Sequence, residues 1–304
     1  MDFLVVSQIS IPAKDRTLPA WEYLRSLGHR VWVEHPRGRA VIGKPDIIIS
    51  MGVTVMEETF LAINKFPDAL LMCYNWDVYE FIWEPGHEGK VQAKHASRPN
   101  EYNYVRYGEL LRQADEIWVP SICTGERTTQ WYGLENWHVI LSACPWWDYD
   151  DIQDDGYALC TLRHLPDPWD TKFEEACAQV GVPYMRTDHD LSWEGYQRAV
   201  AHCRFLVSHY YEASTGGLTL MEGYYHGKPV LLSNSHWCGG SDYLGPLAKY
   251  FEWGNVDDFK EKLLSMHSHP PVLDRGECQQ WIKTRFSDQR MIDDMLERVY
   301  ANTR

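Results

Sequence analysis

The sequence predicts an α/β protein with two Rossmann-like domains. Short apolar stretches alternate with segments of helical periodicity along most of the chain. One acidic stretch without a clear period, "CPWWDYDDIQDDG", interrupts this alternation, which then resumes. Such alternation favours mainly parallel sheets covered by helices on both faces. We interpret the interruption as a linker and expect domains at 1–150 and 151–285, facing a cleft in which a ligand binds.

The first domain opens with a strand, a helix and a second strand. The apolar run at 3–6 is the first strand. In the helix that follows, Trp21, Leu24 and Leu27 are spaced to share one face. Gly28 is typical of the residue that ends a helix, and "RVWVE" after it reads as the next strand.

The rest of the first domain repeats this pattern. Further strands are predicted at "PDIIISMG", "ALLMCYNWD", "EIWVPS" and "WHVILSA", and helices at 55–64, "YVRYGELLRQA" and "CTGERTTQWYG". The polar segment 84–101, with its Gly and Pro residues, predicts a long mobile loop.

The second domain follows the same alternation. Strands are predicted at "YALCTL", "PYMRT", "RFLVS" and "KPVLLS", and helices at "WDTKFEEACAQVG", "SWEGYQRAVAHC", "LTLMEGYYH" and "VDDFKEKLLSMHS". The last thirty residues are predicted to be helical to the end. We expect the terminal helix, 286–304, to pack back across the domain boundary.

Composition excludes several classes of function. The chain of 304 residues has a formal net charge of -14, which argues against a general DNA-coating surface or an anionic-membrane surface. None of its eight cysteines forms a CxxC pair. A reduced, cytoplasmic chain with buried thiols is therefore expected. No stretch approaches the roughly 18 apolar residues of a membrane helix, and the N-terminus does not resemble a signal peptide.

The segment "YEASTGGLTLMEGYYHGKPVLLSN" carries the strongest chemical signal. Gly216 and Gly217 lie between the end of a predicted strand and the start of a helix. A helix start offers free N–H groups and a positive dipole end, and glycine lets a diphosphate approach the backbone closely. Glu222 follows within the helix, where a carboxylate can accept hydrogen bonds from a ribose diol. The alternative is a strand, loop and helix chosen only for packing.

This segment resembles the donor-binding signature of the family-4 type of GT-B glycosyltransferases. The matching positions are Gly217, Leu218, Glu222, Gly227, Pro229 and Val230. The first glutamate of that signature lies eight positions before the second, where this chain has Ser214. Glu212 lies two residues earlier, so the resemblance implies that either Glu212 or Ser214 contacts the donor sugar.

The resemblance also implies how the donor diphosphate is held. In the family an arginine and a lysine after the first strand of the second domain bind it, and here "TLRHLPDPWDTK" offers Arg163 and Lys172. Fixed cations can neutralise leaving-group charge without a metal. For each, a solvated surface charge is the alternative.

A polar group near the reacting carbon is expected from the first domain. Asn75 and Asp77 follow a predicted strand and are expected to point toward the cleft. Asp77 can orient an acceptor hydroxyl or act as a base, or it can simply cap the following helix. His87 and His95 are interpreted as ordinary surface histidines.

Two Asp-x-Asp patterns, in "WDYDD" and "DHD", raise the alternative of a metal site, because GT-A enzymes hold a divalent ion this way. Such short patterns are common by chance in a chain with 43 acidic residues. The histidines and cysteines show no zinc spacing. No metal and no cofactor other than the donor substrate is therefore predicted.

The resemblance thus implies transfer of a sugar from a nucleotide-diphosphate sugar, of the UDP or GDP type, with retention and without an obligatory metal. The acceptor stays open among a glycan, a small molecule, a protein and a modified DNA base. Two alternatives are an epimerase on the same frame and a catalytically silent sugar- or nucleotide-binding protein. Trp146 and Trp147 fit either stacking on a sugar or packing at the hinge.

Overall fold

The computed structural model describes residues 1–7, 18–34, 43–75, 100–144, 146–161, 170–187, 191–208, 218–234 and 240–303. The chain divides into two compact units. The first combines Met1–Ala143 with Asp288–Arg304, and the second is Cys144–Ser287. Each contains a parallel sheet with helices, so the predicted α/β class with two Rossmann-like domains is confirmed.

The described part of the first unit contains a six-stranded sheet in the order β2-β1-β3-β4-β5-β6. The strands are β1 Asp2–Val6, β2 Arg30–Glu34, β3 Ile47–Met51, β4 Leu70–Tyr74, β5 Glu116–Val119 and β6 Trp137–Val139. The helices are α1 Leu18–Ser26, α2 Met56–Lys65, α3 Asn100–Gln113 and α4 Ile122–Tyr132, and a 3₁₀ turn at Val53–Val55 precedes α2.

Both faces of the first sheet are covered, which explains why its strands are continuously apolar. Alternate residues of β1 enter different cores. Leu4 and Val6 join the core that includes residues of α2, α3 and α4, whereas Phe3 and Val5 face the core formed with α1 and the C-terminal helix. Strand register keeps this alternation, since Phe3 pairs with Ile47.

The C-terminal helix, α11 (Asp288–Asn302), belongs to the first unit although it follows the second in the chain. Met291, Met295 and Val299, spaced at helical intervals, are buried in the core that also contains Trp21. This return to the first sheet is the predicted one.

The described part of the second unit contains a five-stranded sheet in the order β11-β10-β9-β7-β8. Its strands are β7 Ala158–Thr161, β8 Tyr184–Thr187, β9 Phe205–Ser208, β10 Val230–Ser233 and β11 Lys249–Phe251. The helices are α5 Asp170–Val180, α6 Trp193–His202, α7 Leu218–Tyr225, α8 Gly240–Leu244, α9 Val256–Ser268 and α10 Arg275–Arg285, and a 3₁₀ turn at Gly245–Leu247 follows α8.

Some local predictions need correction. Helix α1 ends at Ser26, so Leu27 leaves the helical register and is 45% exposed instead of sharing the buried face of Trp21 and Leu24. The short elements α8 and β11 were not predicted. The predicted loop 84–101 lies outside the described residues except at its end, where α3 begins at Asn100.

The acidic stretch 144–156 is not a free linker. Its described residues, 144 and 146–156, have no regular secondary structure, but the stretch belongs to the second unit and packs against it. Buried Lys228 donates a hydrogen bond to the Gln153 carbonyl, and the Arg204 Nε lies 3.1 Å from both carboxylate oxygens of Asp154. The ion pair with Arg204 and the hydrogen bond from Lys228 explain why an acidic sequence is fixed here.

No helix in the described ranges is long and apolar enough to cross a membrane. The seven cysteines among these residues are buried with free thiols.

Candidate functional site

Helix α7 carries Glu222 and follows the carboxyl end of β9, the edge of a parallel sheet at which ligands bind. Gly223 lets this helix approach the sheet closely, because a Cβ there would lie 2.2 Å from Leu206 Cδ1. Gly227 ends the helix, directly after the predicted helical span "LTLMEGYYH", with φ of 75° and its N–H bonded to the Tyr224 carbonyl at 2.9 Å. The close contact between α7 and β9 therefore fixes the position of Glu222 relative to that strand.

The Glu222 side chain is buried, with 1% of its surface exposed. The hydroxyl of Tyr196, near the start of α6, donates a hydrogen bond to Glu222 Oε2. The same hydroxyl lies 2.9 Å from Thr219 Oγ1, one turn before Glu222 on α7. A carboxylate inside a protein requires such partners, and here two neighbouring helices provide a hydroxyl pair.

Several aromatic side chains pack near Tyr196 and the end of α7. Trp193 stacks on Tyr196 with ring centroids 5.5 Å apart, and 55% of the Trp193 surface is exposed. Trp147 packs on Trp193 at 6.0 Å and on His226 at 4.2 Å. The Trp146 ring stacks on Tyr225 at 6.4 Å. Both tryptophans of the acidic stretch therefore pack within the second unit.

His226 is buried behind α7, with 2% exposure. Burial, together with the nearby cations Arg275 and Lys228, lowers the pKa of His226 to about 4, although the Asp148 carboxylate opposes the shift. The imidazole is therefore neutral at pH 7. Asp148 itself accepts a hydrogen bond of 2.9 Å from Tyr225, so this carboxylate of the "WDYDD" pattern helps anchor the acidic stretch.

Five of the predicted donor-site residues lie outside the described residues: Arg163, Glu212, Ser214, Gly216 and Gly217. The same is true of Asp77, His87, His95 and the "DHD" pattern.

Three of the predicted donor-site residues have a described position. Leu218 is buried at the start of α7, with 5% exposure, and Glu222 lies four positions further along the same helix. Lys172 is exposed in the first turn of α5. Leu218 thus contributes to packing, whereas Glu222 supplies a polar group at the sheet edge.

Asn75 does not have the predicted orientation. It is fully buried at the carboxyl end of β4. Its Nδ2 donates to Thr128 Oγ1 at 2.9 Å, and its Oδ1 accepts from Tyr107 at 3.1 Å. The amide therefore joins α3 and α4 inside the first unit instead of pointing toward a ligand.

Tyr196 was missed by the sequence interpretation, although it is the hydrogen-bond partner of Glu222. The segment "SWEGYQRAVAHC" was assigned as a helix, and its hydroxyl was not connected to the glycine-rich segment. The two residues lie on different helices, so no local spacing relates them. The contact could have been anticipated only by assuming that α6 and α7 pack side by side on one face of the sheet.

The chemistry open to this arrangement is recognition by hydrogen bonds. Within the described ranges, no group of three or more His, Cys, Asp or Glu side chains is arranged to hold a metal ion. A buried carboxylate beside hydroxyl groups suits hydroxyl donors of a ligand, such as the diol of a ribose.

Comparison with solved structures identifies the fold. Sucrose-phosphate synthase from Thermosynechococcus elongatus matches with a TM-score of 0.69 and 11% identity, over 100% of this chain and 99% of that chain. HepE from Anabaena, in complex with UDP and glucose, matches with a TM-score of 0.64 and 14% identity, over 99% and 100%. The lipopolysaccharide outer core galactosyltransferase WaaB matches with a TM-score of 0.62 and 12% identity, over 99% and 100%.

These matches, which span the length of both chains, show that the protein has the GT-B fold. No protein-family model matches the chain. No curated protein matches it in sequence. At these identities the likeness shows the fold alone.

Proposed function

We propose that the protein is a glycosyltransferase that takes a sugar from a nucleoside-diphosphate sugar of the UDP or GDP type. The observation that carries the proposal is the buried carboxylate of Glu222 on the helix after β9, with the Tyr196 hydroxyl beside it. The GT-B fold supports it, because HepE, which shares that fold, was solved with UDP and with UDP-glucose.

In this proposal Glu222 accepts hydrogen bonds from the ribose hydroxyls of the donor. The start of α7 and the preceding Gly216 and Gly217 approach the diphosphate, since free N–H groups and the helix dipole favour an anion there. Arg163 and Lys172 supply positive charge to the leaving diphosphate. The exposure of Lys172 on α5 is compatible with binding a ligand.

The proposal extends to the sugar and the acceptor. Glu212 or Ser214 contacts the donor sugar, and Asp77 orients the acceptor hydroxyl. Retention of anomeric configuration and independence from a metal follow from the resemblance of the glycine-rich segment to the family-4 signature. The acceptor is a hydroxyl-bearing molecule from one of the four classes named above.

A nucleotide panel tests the proposal. The melting temperature of the full chain is measured with UDP, GDP, ADP and their sugar conjugates, with manganese or with EDTA, because a ligand of the folded state raises it by mass action. We expect a rise with UDP or GDP that persists in EDTA. Glu222→Gln should weaken that binding by about 100-fold, a loss typical of hydrogen bonds to a charged group.

Three outcomes would count against the proposal. No shift with any nucleotide would remove the donor site altogether. A shift that requires manganese would favour an Asp-x-Asp metal site over the metal-independent one. Turnover of the sugar conjugate to an epimer without an acceptor would favour the epimerase alternative.

A further inference from the structure

Tyr196 and Glu222 form a contact between two helices at the carboxyl edge of the second sheet. Tyr196 lies one turn into α6, and Glu222 lies one turn into α7. The phenol donates to Glu222 Oε2, and its oxygen is 2.9 Å from Thr219 Oγ1. The Tyr196 ring is half-buried and stacks on Trp193, whereas Glu222 is buried.

The number of protons fixes the direction of these hydrogen bonds. A phenol carries one proton, and an ionised carboxylate can only accept. The Tyr196 proton therefore points to Glu222, and the Thr219 hydroxyl supplies the proton of the second contact. Thr219 orients the phenol, and the phenol in turn orients the carboxylate.

The bond from Tyr196 restricts the Glu222 side chain before a ligand binds. A carboxylate has two oxygens with about four lone-pair sites, so one such bond does not saturate it. The side chain of a glutamate has three rotatable bonds, and a hydrogen bond from a neighbouring helix removes much of that freedom before a ligand arrives. Such preorganisation increases affinity because the ordering cost does not fall on binding.

We propose that Tyr196 is a positioning residue for ribose recognition, fixing Glu222 so that its carboxylate accepts both hydroxyls of a ribose diol. The inference rests on the proposed function, since it assigns a nucleotide ligand to the same carboxylate. It adds that discrimination between ribose and deoxyribose depends on a tyrosine that does not touch the ligand itself.

The test compares Tyr196→Phe with the unmodified chain on four probes: UDP, GDP and their 2′,3′-dideoxy forms. Phenylalanine keeps the ring that stacks on Trp193 and removes only the hydroxyl. We expect about tenfold weaker binding of the ribonucleotide, because a Glu222 side chain that Tyr196 no longer fixes must be ordered when the ligand binds. Binding of the dideoxy form should change less than twofold, because it has no ribose hydroxyls to donate hydrogen bonds to Glu222.

Tyr157→Phe is the matched control. Its hydroxyl donates to the Ala199 carbonyl of α6 at 2.8 Å, so this change also removes a phenolic hydrogen bond from the same helix, away from Glu222. We expect it to leave affinity for all four probes within twofold. Thr219→Val is a second variant, expected to weaken ribonucleotide binding about threefold with the same dependence on the diol.

The outcomes separate the inference from the proposed function. If the unmodified chain binds none of the probes, both are wrong. If Glu222→Gln weakens ribonucleotide binding and Tyr196→Phe does not, only the inference is wrong. An equal loss of ribo- and dideoxynucleotide binding in Tyr196→Phe would show a general structural role and would also overturn it.

Discussion

Two buried glutamates, one in each unit, are held in different ways. Glu116 is 4% exposed and accepts hydrogen bonds from the Arg298 guanidinium, from Trp118 Nε1 at 2.6 Å and from Asn302 Nδ2 at 3.1 Å. Glu222 is 1% exposed and accepts from the neutral phenol of Tyr196. The Glu116 carboxylate is thus paired with a guanidinium, and the Glu222 carboxylate is oriented by a phenol from a neighbouring helix.

The two glutamates also lie at opposite edges of their respective sheets. Glu116 begins β5, at the amino edge of the first sheet, and Arg298 comes from the C-terminal helix α11. Glu222 lies on the helix that follows the carboxyl end of β9. Ligands bind at the carboxyl edge of parallel sheets. Burial alone therefore does not distinguish the candidate carboxylate Glu222 from Glu116, but the edge of the sheet and the hydrogen-bond partner do.

The largest expected effect is a difference in acid sensitivity between the two units. The pKa of His226, in the second unit, is lowered to about 4 from its ordinary value of 6.5, so between these values the unfolded chain binds a proton that the folded chain does not. Stability of the second unit should thus fall by about 2–4 kcal/mol as the pH drops from 6.5 to 4. Urea titrations at intervals across this range measure the loss.

Glu116 should respond in a lower window. Burial raises its pKa, but the hydrogen bonds from Arg298, Trp118 and Asn302 outweigh burial and hold the pKa below 4.5. Its stabilising contribution is therefore complete above 4.5 and is lost as the pH falls through the lowered value. His226→Leu should flatten the upper window and leave the lower one. A single transition shared by both units and unaffected by this substitution would contradict the assignment.

The second prediction concerns the attachment of the C-terminal helix. Glu116→Gln should lower the free energy of unfolding of the first unit by about 2 kcal/mol, less than for a fully buried ion pair because the Arg298 side chain is 33% exposed and can be solvated. Nucleotide affinity should not change, in contrast to Glu222→Gln. Hydrogen exchange of α11 measures the local loss.

A surface pair provides the control for that experiment. Lys44 and Asp68 are 2.8 Å apart, with side chains 70% and 73% exposed. Asp68→Asn should have no measurable effect on stability, since solvent screens such a pair. If Glu116→Gln also leaves the free energy of unfolding unchanged, the hydrogen bonds between Glu116 and Arg298 do not stabilise the packing of α11.

The smallest expected effect on stability concerns the close packing of α7 against β9. In Gly223→Ala the new Cβ would meet Leu206 Cδ1 at 2.2 Å, so α7 or Leu206 must move. We expect a loss of about 1–2 kcal/mol, the overpacking cost less the gain in helix propensity. Chemical denaturation measures it, and nucleotide affinity should fall as well because Glu222 moves with the helix.

Gly195→Ala in α6 is the matched control for this substitution. The nearest atom to a Cβ there is Ser192 Oγ at 3.2 Å, the end of a small exposed side chain. Alanine should be neutral or slightly stabilising because of its better helix propensity. Equal destabilisation by both substitutions would mean that the close approach of α7 to β9 is not what requires Gly223.

Pattern-based prediction worked best where one strand or helix decides the outcome. The apolar runs of β1 and β9 were identified because strands covered on both faces must be continuously apolar. The helix α7 was predicted to end before Gly227, and the positive φ of Gly227, which favours glycine, agrees with that end. Prediction was wrong for Leu27, whose spacing fitted a helix that stops one residue earlier. It was also wrong for Asn75, whose hydrogen-bond partners come from distant helices.

The candidate site shows the same division. Glu222 was singled out from its own segment, since a glutamate after a glycine-rich helix start is visible in the sequence. Its partner Tyr196 comes from another helix and is found only once α6 and α7 pack together. The acidic stretch was interpreted as a linker because an acidic segment without helical or strand periodicity is typical of linkers. Lys228 and Arg204, which fix it, lie far along the chain.

The sequence by itself determined the α/β class, the two units, the order of most strands and helices, and the segment that carries the candidate carboxylate. These follow from hydrophobic periodicity and glycine placement, which act over a few residues. Only the tertiary structure decided which buried polar groups face one another: Glu116 with Arg298, and Glu222 with Tyr196. Those pairings depend on packing between helices and strands distant in sequence, and hydrogen bonds form only within about 3 Å.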